Sequence, residues 1–154
     1  VSIQTIRLDR SQLKIPELRE RVKSVAKDQY QNISALEDQD IIGDIVSLEP
    51  NHYGKSILTI TKKDVFSRNE IARGHVLFAQ ANSLCVAMVK HIAVLTKESH
   101  IHFVKPVHLG DVVMATAEVQ FHDDKYYEMS VTSYVEKERV FEGIFKMYYI
   151  SEDE

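Results

Sequence analysis

The stretch Phe66-Ser-Arg-Asn-Glu-Ile-Ala-Arg-Gly-His-Val-Leu-Phe-Ala-Gln-Ala-Asn-Ser-Leu84 decides the fold. A polar run gives way at Arg73-Gly74 to residues that stay apolar on nearly every face as far as residue 89. The pattern predicts a helix over 71–89, and a helix with so little polar surface must be buried on most sides. The single cysteine, Cys85, lies inside this run and reads as a small buried hydrophobe.

Working outward, the flanks read as strands. A hairpin is expected from 41–48 and 56–61, joined by a turn around Pro50-Asn51-His52-Tyr53-Gly54. After the helix, 94–104 is a further extended segment. Val113, Ala115, Ala117, Val119 and Phe121 alternate with more polar residues. Tyr127, Met129, Val131 and Val135 alternate next, and Phe141, Phe145, Met147 and Tyr149 last. Turns at 123–125 and 136–138 separate them, as in an antiparallel meander. A hairpin, one buried helix and a meander form an α+β unit. The simplest way to bury the helix is to wrap a curved antiparallel sheet around it, which is the hotdog fold.

The first 38 residues have a different character. Residues 1–27 hold seven Lys/Arg against three Asp/Glu, a balance of +4, so the remainder carries −8. Ser2 suits a helix N-cap. Gln4, Thr5, Arg7 and Arg10 are the residue types that read base edges and phosphates from a helix start. We read residues 1–12 as a helical segment cut from a larger protein; its assignment as the remnant of a truncated helix-turn-helix DNA-binding domain is what the family resemblance given below implies. Residues 13–38 read as an amphipathic linker helix and loop, with Pro16 in its first turn and Ile15, Leu18, Val22, Val25 and Tyr30 forming an apolar stripe. Residues 39–154 form the hotdog domain. A basic arm on an acidic body fits contact with a polyanion through the arm, or the solvated face of one helix.

Several function classes drop out. No segment approaches the length that spans a bilayer. The chain has no Walker loop and no dinucleotide fingerprint. His100 and His102 share a strand face, but no further ligands stand at a metal-binding spacing, so no metal and no cofactor is expected. A cytoplasmic protein is expected.

Arg73-Gly74 is the candidate binding point. Glycine lets a ligand approach the backbone closely, and the first amides of a helix carry partial positive charge. An arginine beside them makes an anion pocket suited to a carboxylate. The alternative is an arginine paired with Asp64 or Glu70. Asn82 lies eight residues further along the helix. Its amide can hydrogen-bond a thioester but cannot serve as a general base or nucleophile at neutral pH. The alternative for Asn82 is a satisfied core amide.

The quoted stretch resembles the signature of FapR, a family of bacterial repressors of fatty-acid and phospholipid biosynthesis genes. Val1-Ser-Ile-Gln-Thr-Ile-Arg-Leu-Asp-Arg10 resembles the end of that family's helix-turn-helix, and Ile15-Pro-Glu-Leu-Arg-Glu-Arg21 its linker helix. The resemblance implies a homodimer whose effector is malonyl-CoA, and also malonyl-acyl carrier protein, with ligand binding releasing operator DNA. It implies that Arg73 holds the malonyl carboxylate, Gly74 offers its backbone to the thioester region and Phe66 walls the acyl pocket. Asn82 would reach the ligand from the partner subunit. The same helix is similar to that of hotdog acyl-CoA thioesterases. Those enzymes often place Asp or Glu where this chain has Asn82, and the amide argues against an enzyme here.

Overall fold

A computed structural model describes residues 41–89 and 93–150. The expectations for Gln4, Thr5, Arg7 and Arg10, and for the linker helix, lie outside the described residues. The described elements run β1 (Asp44–Glu49), β2 (Tyr53–Thr59), a 3-10 turn (Lys62–Asp64), α1 (Gly74–Met88), β3 (Ala93–Phe103), β4 (Val112–His122), β5 (Tyr126–Val135) and β6 (Glu138–Ile150). The six strands form one sheet in the order β1-β2-β4-β5-β6-β3, every neighbouring pair antiparallel. One face of this sheet wraps α1, which is the hotdog arrangement expected from the alternation.

The register explains how the helix is seated. Leu48, Gly54, Ala117, Val131, Gly143 and Ile101 face one another across all six strands. The middle of this row is made of small side chains, so the sheet is hollowed beneath the helix. Gly54 is required there: a Cβ on it would stand 3.0 Å from Leu48, 3.1 Å from Leu84 and 3.2 Å from Met88. Nine helix residues are buried, among them Leu77, Ala81, Leu84, Cys85 and Met88. The helix end is tied to the first hairpin, since Asn51 N–H donates to the Met88 carbonyl at 2.8 Å. That bond satisfies one of the acceptors a helix end leaves open.

Three expectations need correction. The helix starts at Gly74, not Ile71, because Ile71 and Ala72 bridge to His108 and Val65 instead. The first turn is tighter than 50–54. His52 N–H closes on the Glu49 carbonyl at 3.0 Å with Asn51 at φ 63°, so Tyr53 and Gly54 already belong to β2. Finally, Phe121 does not continue the inward face of β4. A register shift between Val119 and Phe121 turns it outward, leaving it 47% exposed.

Candidate functional site at the start of the central helix

Residues 60–74 form a closed loop against the sheet end. Val65 and Ala72 pair as an antiparallel bridge, Phe66 N–H donates to the Ile71 carbonyl at 3.0 Å, and Glu70 N–H returns to the Phe66 carbonyl at 2.9 Å. Glu70 turns the chain with φ 57°. Arg73 N–H then donates to the Asp64 carbonyl at 2.9 Å, and Ala72 N–H to the Val107 carbonyl at 2.7 Å. These bonds fix the direction in which the helix leaves the loop.

The loop brings Phe66, Arg73 and Gly74 together. The Arg73 guanidinium lies over the exposed Phe66 ring, 5.7 Å from its centroid, a cation–π contact. Among the described residues it pairs with neither Asp64 nor Glu70. Asp64 is occupied by Thr61, whose backbone N–H and hydroxyl both donate to its Oδ2 at 2.9 Å. Arg73 is also the N-cap, in extended conformation, and no side chain caps the helix. No acidic residue stands in the first turn. The partial positive charge of that end is therefore not offset by a side-chain anion.

A cleft of about 290 Å³ opens beside this helix end, lined by Ile71, Ala72, Gly74, Leu77, Phe103, Val104, Lys105, Pro106 and Val107. Its walls are apolar. Lys105 is the charged residue of its lining, and Glu138 pairs with it at 3.3 Å.

Asn82 is placed differently. It stands two turns further along α1, about 12 Å from Gly74 at 1.5 Å per residue, and is not among the residues that line the cleft. The Thr96 hydroxyl on β3 donates to its Oδ1. With that oxygen engaged, the free end of the amide is its N–H₂ donor. The fold of this chain does not bring Asn82 to Arg73.

The other candidate groups on the helix are structural. Gln80 is fully buried, and its Nε2 donates to the Ser56 carbonyl at 3.3 Å, the Ser56 hydroxyl at 3.2 Å and the Val113 carbonyl at 3.1 Å. Ser83 donates to the Gln80 carbonyl and accepts from Ile42 N–H, both at 3.2 Å. Full burial pushes the Cys85 thiol well up from its ordinary range, so it is not a nucleophile. The helix carries no carboxylate at all. His100 pairs with Glu98 at 2.9 Å, which holds that carboxyl below its usual range through the hydrogen bond and the ring's charge. Among the described residues no three His, Cys, Asp or Glu converge as metal ligands.

Sequence reasoning missed Thr96, Leu77, Val107 and Phe103. The available signal for Phe103 was a large apolar residue ending a strand segment that carries Glu98, His100 and His102.

Comparison with known proteins agrees with this architecture. The family model described as Thioesterase superfamily matches residues 68–141, which spans the helix and most of the meander. A solved structure of a sigma28-regulated virulence protein, Cj0977 of Campylobacter jejuni, superposes with TM-score 0.75 at 24% identity, covering 82% of this chain and 91% of that one. A hypothetical thioesterase from Streptococcus pneumoniae TIGR4, solved with coenzyme A, gives TM-score 0.67 at 16% identity, covering 81% and 96%. These two likenesses establish the fold. The sequence comparison goes further, because the transcription factor FapR of Staphylococcus haemolyticus is 53% identical over 154 residues, covering 100% of this chain and 83% of its relative. On that identity over its full length, the chain belongs to the FapR family of transcription factors.

Proposed function

We propose that this chain is the effector-binding portion of a cytoplasmic, homodimeric repressor of fatty-acid and phospholipid biosynthesis genes. Malonyl-CoA is the effector, and malonyl-acyl carrier protein presents the same group. Operator contacts come from residues 1–12 through Gln4, Thr5, Arg7 and Arg10, and the effector releases them.

The observation that carries this reading is the Arg73-Gly74 junction. It sets an arginine with no carboxylate partner, among the described residues, beside an uncapped helix end and an apolar cleft. Malonyl differs from acetyl by one carboxylate. A guanidinium can hold that carboxylate through two N–H groups, and the helix end adds favourable charge. Gly74 offers its backbone to the thioester, Phe66 closes the acyl side, and Asn82 donates from the partner subunit. The coenzyme A on the S. pneumoniae protein supports the ligand class, on a shared fold.

The reaction left undone is part of the reading. A thioesterase needs a group to activate water or attack the carbonyl. The helix offers Asn82, an amide already accepting from Thr96.

The experiment is a calorimetric titration with malonyl-CoA and acetyl-CoA, repeated on Arg73→Ala. Malonyl-CoA should bind at least tenfold tighter than acetyl-CoA, and Arg73→Ala should abolish the difference. Equal affinities in the unsubstituted protein would sink the proposal. The Thioesterase superfamily match favours a second reading, a hotdog acyl-CoA thioesterase. Steady release of free CoA above background, followed with a thiol reagent, would establish that reading instead.

A further inference from the structure

Phe103 is held in an unusual way for a residue that is 53% exposed. It ends β3, and its in-register neighbour on β6 is the fully buried Phe141. The two rings meet edge to face, with centroids 5.5 Å apart at 66°. On its other side the ring tip occupies the place a side chain on residue 74 would need: a Cβ there would stand 3.1 Å from Cζ and 3.3 Å from Cε1. The ring is therefore backed by core and pressed against the first residue of the helix. It cannot yield inward, and it lines the cleft together with Leu77 and Val107.

This placement bears on specificity. The cleft walls near the helix are aliphatic or aromatic, and apolar walls favour each further methylene that they bury. An open-ended apolar cleft would prefer long acyl groups to a three-carbon one. Selection of a short diacid by such a cleft requires a rigid stop, and a supported aromatic ring is one. We infer that Phe103 is the residue that limits acyl length at this site. It is a specificity residue that acts by exclusion, next to the anion pocket of Arg73. The inference rests on the ligand reading above and adds what that reading lacks, the feature that rejects longer acyl groups.

The test uses the 154-residue chain with Phe103→Ala and the milder Phe103→Leu. Dissociation constants are measured for malonyl-, glutaryl- and butyryl-CoA, with thermal melting as the control for folding. The half-exposed position predicts little change in melting temperature. Phe103→Ala should shift the glutaryl-to-malonyl affinity ratio tenfold or more towards glutaryl, the scale of a methylene or two in a fitted pocket, and Phe103→Leu should fall between. An unchanged ratio overturns the inference, as does an equal loss for all three ligands, which would make the ring a general contact. If the unsubstituted protein binds none of these thioesters, the ligand reading itself fails and the stop falls with it. That result is read before any substitution is made, so the two failures are distinct.

Discussion

Thr96 on β3 donates its hydroxyl hydrogen to Asn82 Oδ1 on the central helix. The contact joins an edge strand of the sheet to the central helix, and it sets the sense of the amide. Thr96→Val keeps the shape and removes the donor. It should weaken malonyl-CoA binding about fivefold, the scale of one net hydrogen bond, with the melting temperature nearly unchanged. Calorimetry beside a thermal melt separates the two effects, and an unaltered dissociation constant would release Asn82 from the ligand role.

Gly74 is the second point of sensitivity. Any Cβ there enters the space of the Phe103 ring, and a valine adds two further methyl groups to a residue that lines the cleft. Gly74→Val should lower ligand affinity by tenfold or more, because the added side chain crowds the Phe103 ring that lines the cleft, with a thermal melt as the control for folding. A binding curve that superposes on the unsubstituted one would show that the ligand approaches elsewhere.

Gln80 tests the core. Its Nε2 serves β2 and β4, while its Oε1 is buried with no partner among the described residues. Gln80→Ala removes three donor contacts and leaves a void, for an expected loss of about 1–3 kcal/mol. Urea unfolding should show the midpoint falling with an unchanged slope.

The turn at residues 123–125 should respond to acid. Asp123 Oδ1 accepts from Lys125 N–H at 2.8 Å and Tyr126 N–H at 3.0 Å, and these backbone bonds hold its pKa below the ordinary value. A carboxyl depressed in the folded state adds stability that is present above its unfolded pKa. The contribution disappears as pH falls through the folded pKa. Amide exchange at Lys125 and Tyr126, corrected for intrinsic rates, should lose protection over that acid range, and Asp123→Ala should lack protection at neutral pH. Equal protection in both proteins would remove the carboxylate from the turn.

The architecture was legible where side chains alternate strictly. Val113, Ala115 and Ala117 are buried as the period of two requires, and so are Tyr127, Met129 and Val131. The pattern misled at Phe121, because a bulge moves a residue to the other face without leaving a trace in hydropathy. It also carried the helix too far back, since Ile71 and Ala72 are as apolar as the helix but spend their backbones on bridges. At the site, Phe66, Arg73 and Gly74 were readable because a local loop brings them together. Thr96 and Phe103 were not, because their nearness to Asn82 and Gly74 depends on β3 lying at the edge of the sheet. That order is set by strands distant in sequence.

The strand order also constrains how the molecule comes into being. β3 is complete at Phe103, yet its hydrogen-bonded neighbour among the described strands, β6, begins at Glu138. On the ribosome, a finished strand must therefore wait for the last segment to emerge, and pairing between distant segments makes closure slow. A polypeptide released before residue 138 would leave β3 without its strand neighbour β6 and would strip from the helix the cover of β6, including the Phe145 ring that packs on Phe78. Such nascent fragments are natural clients for chaperones and proteases, so cellular abundance of this protein depends on its final strand being translated.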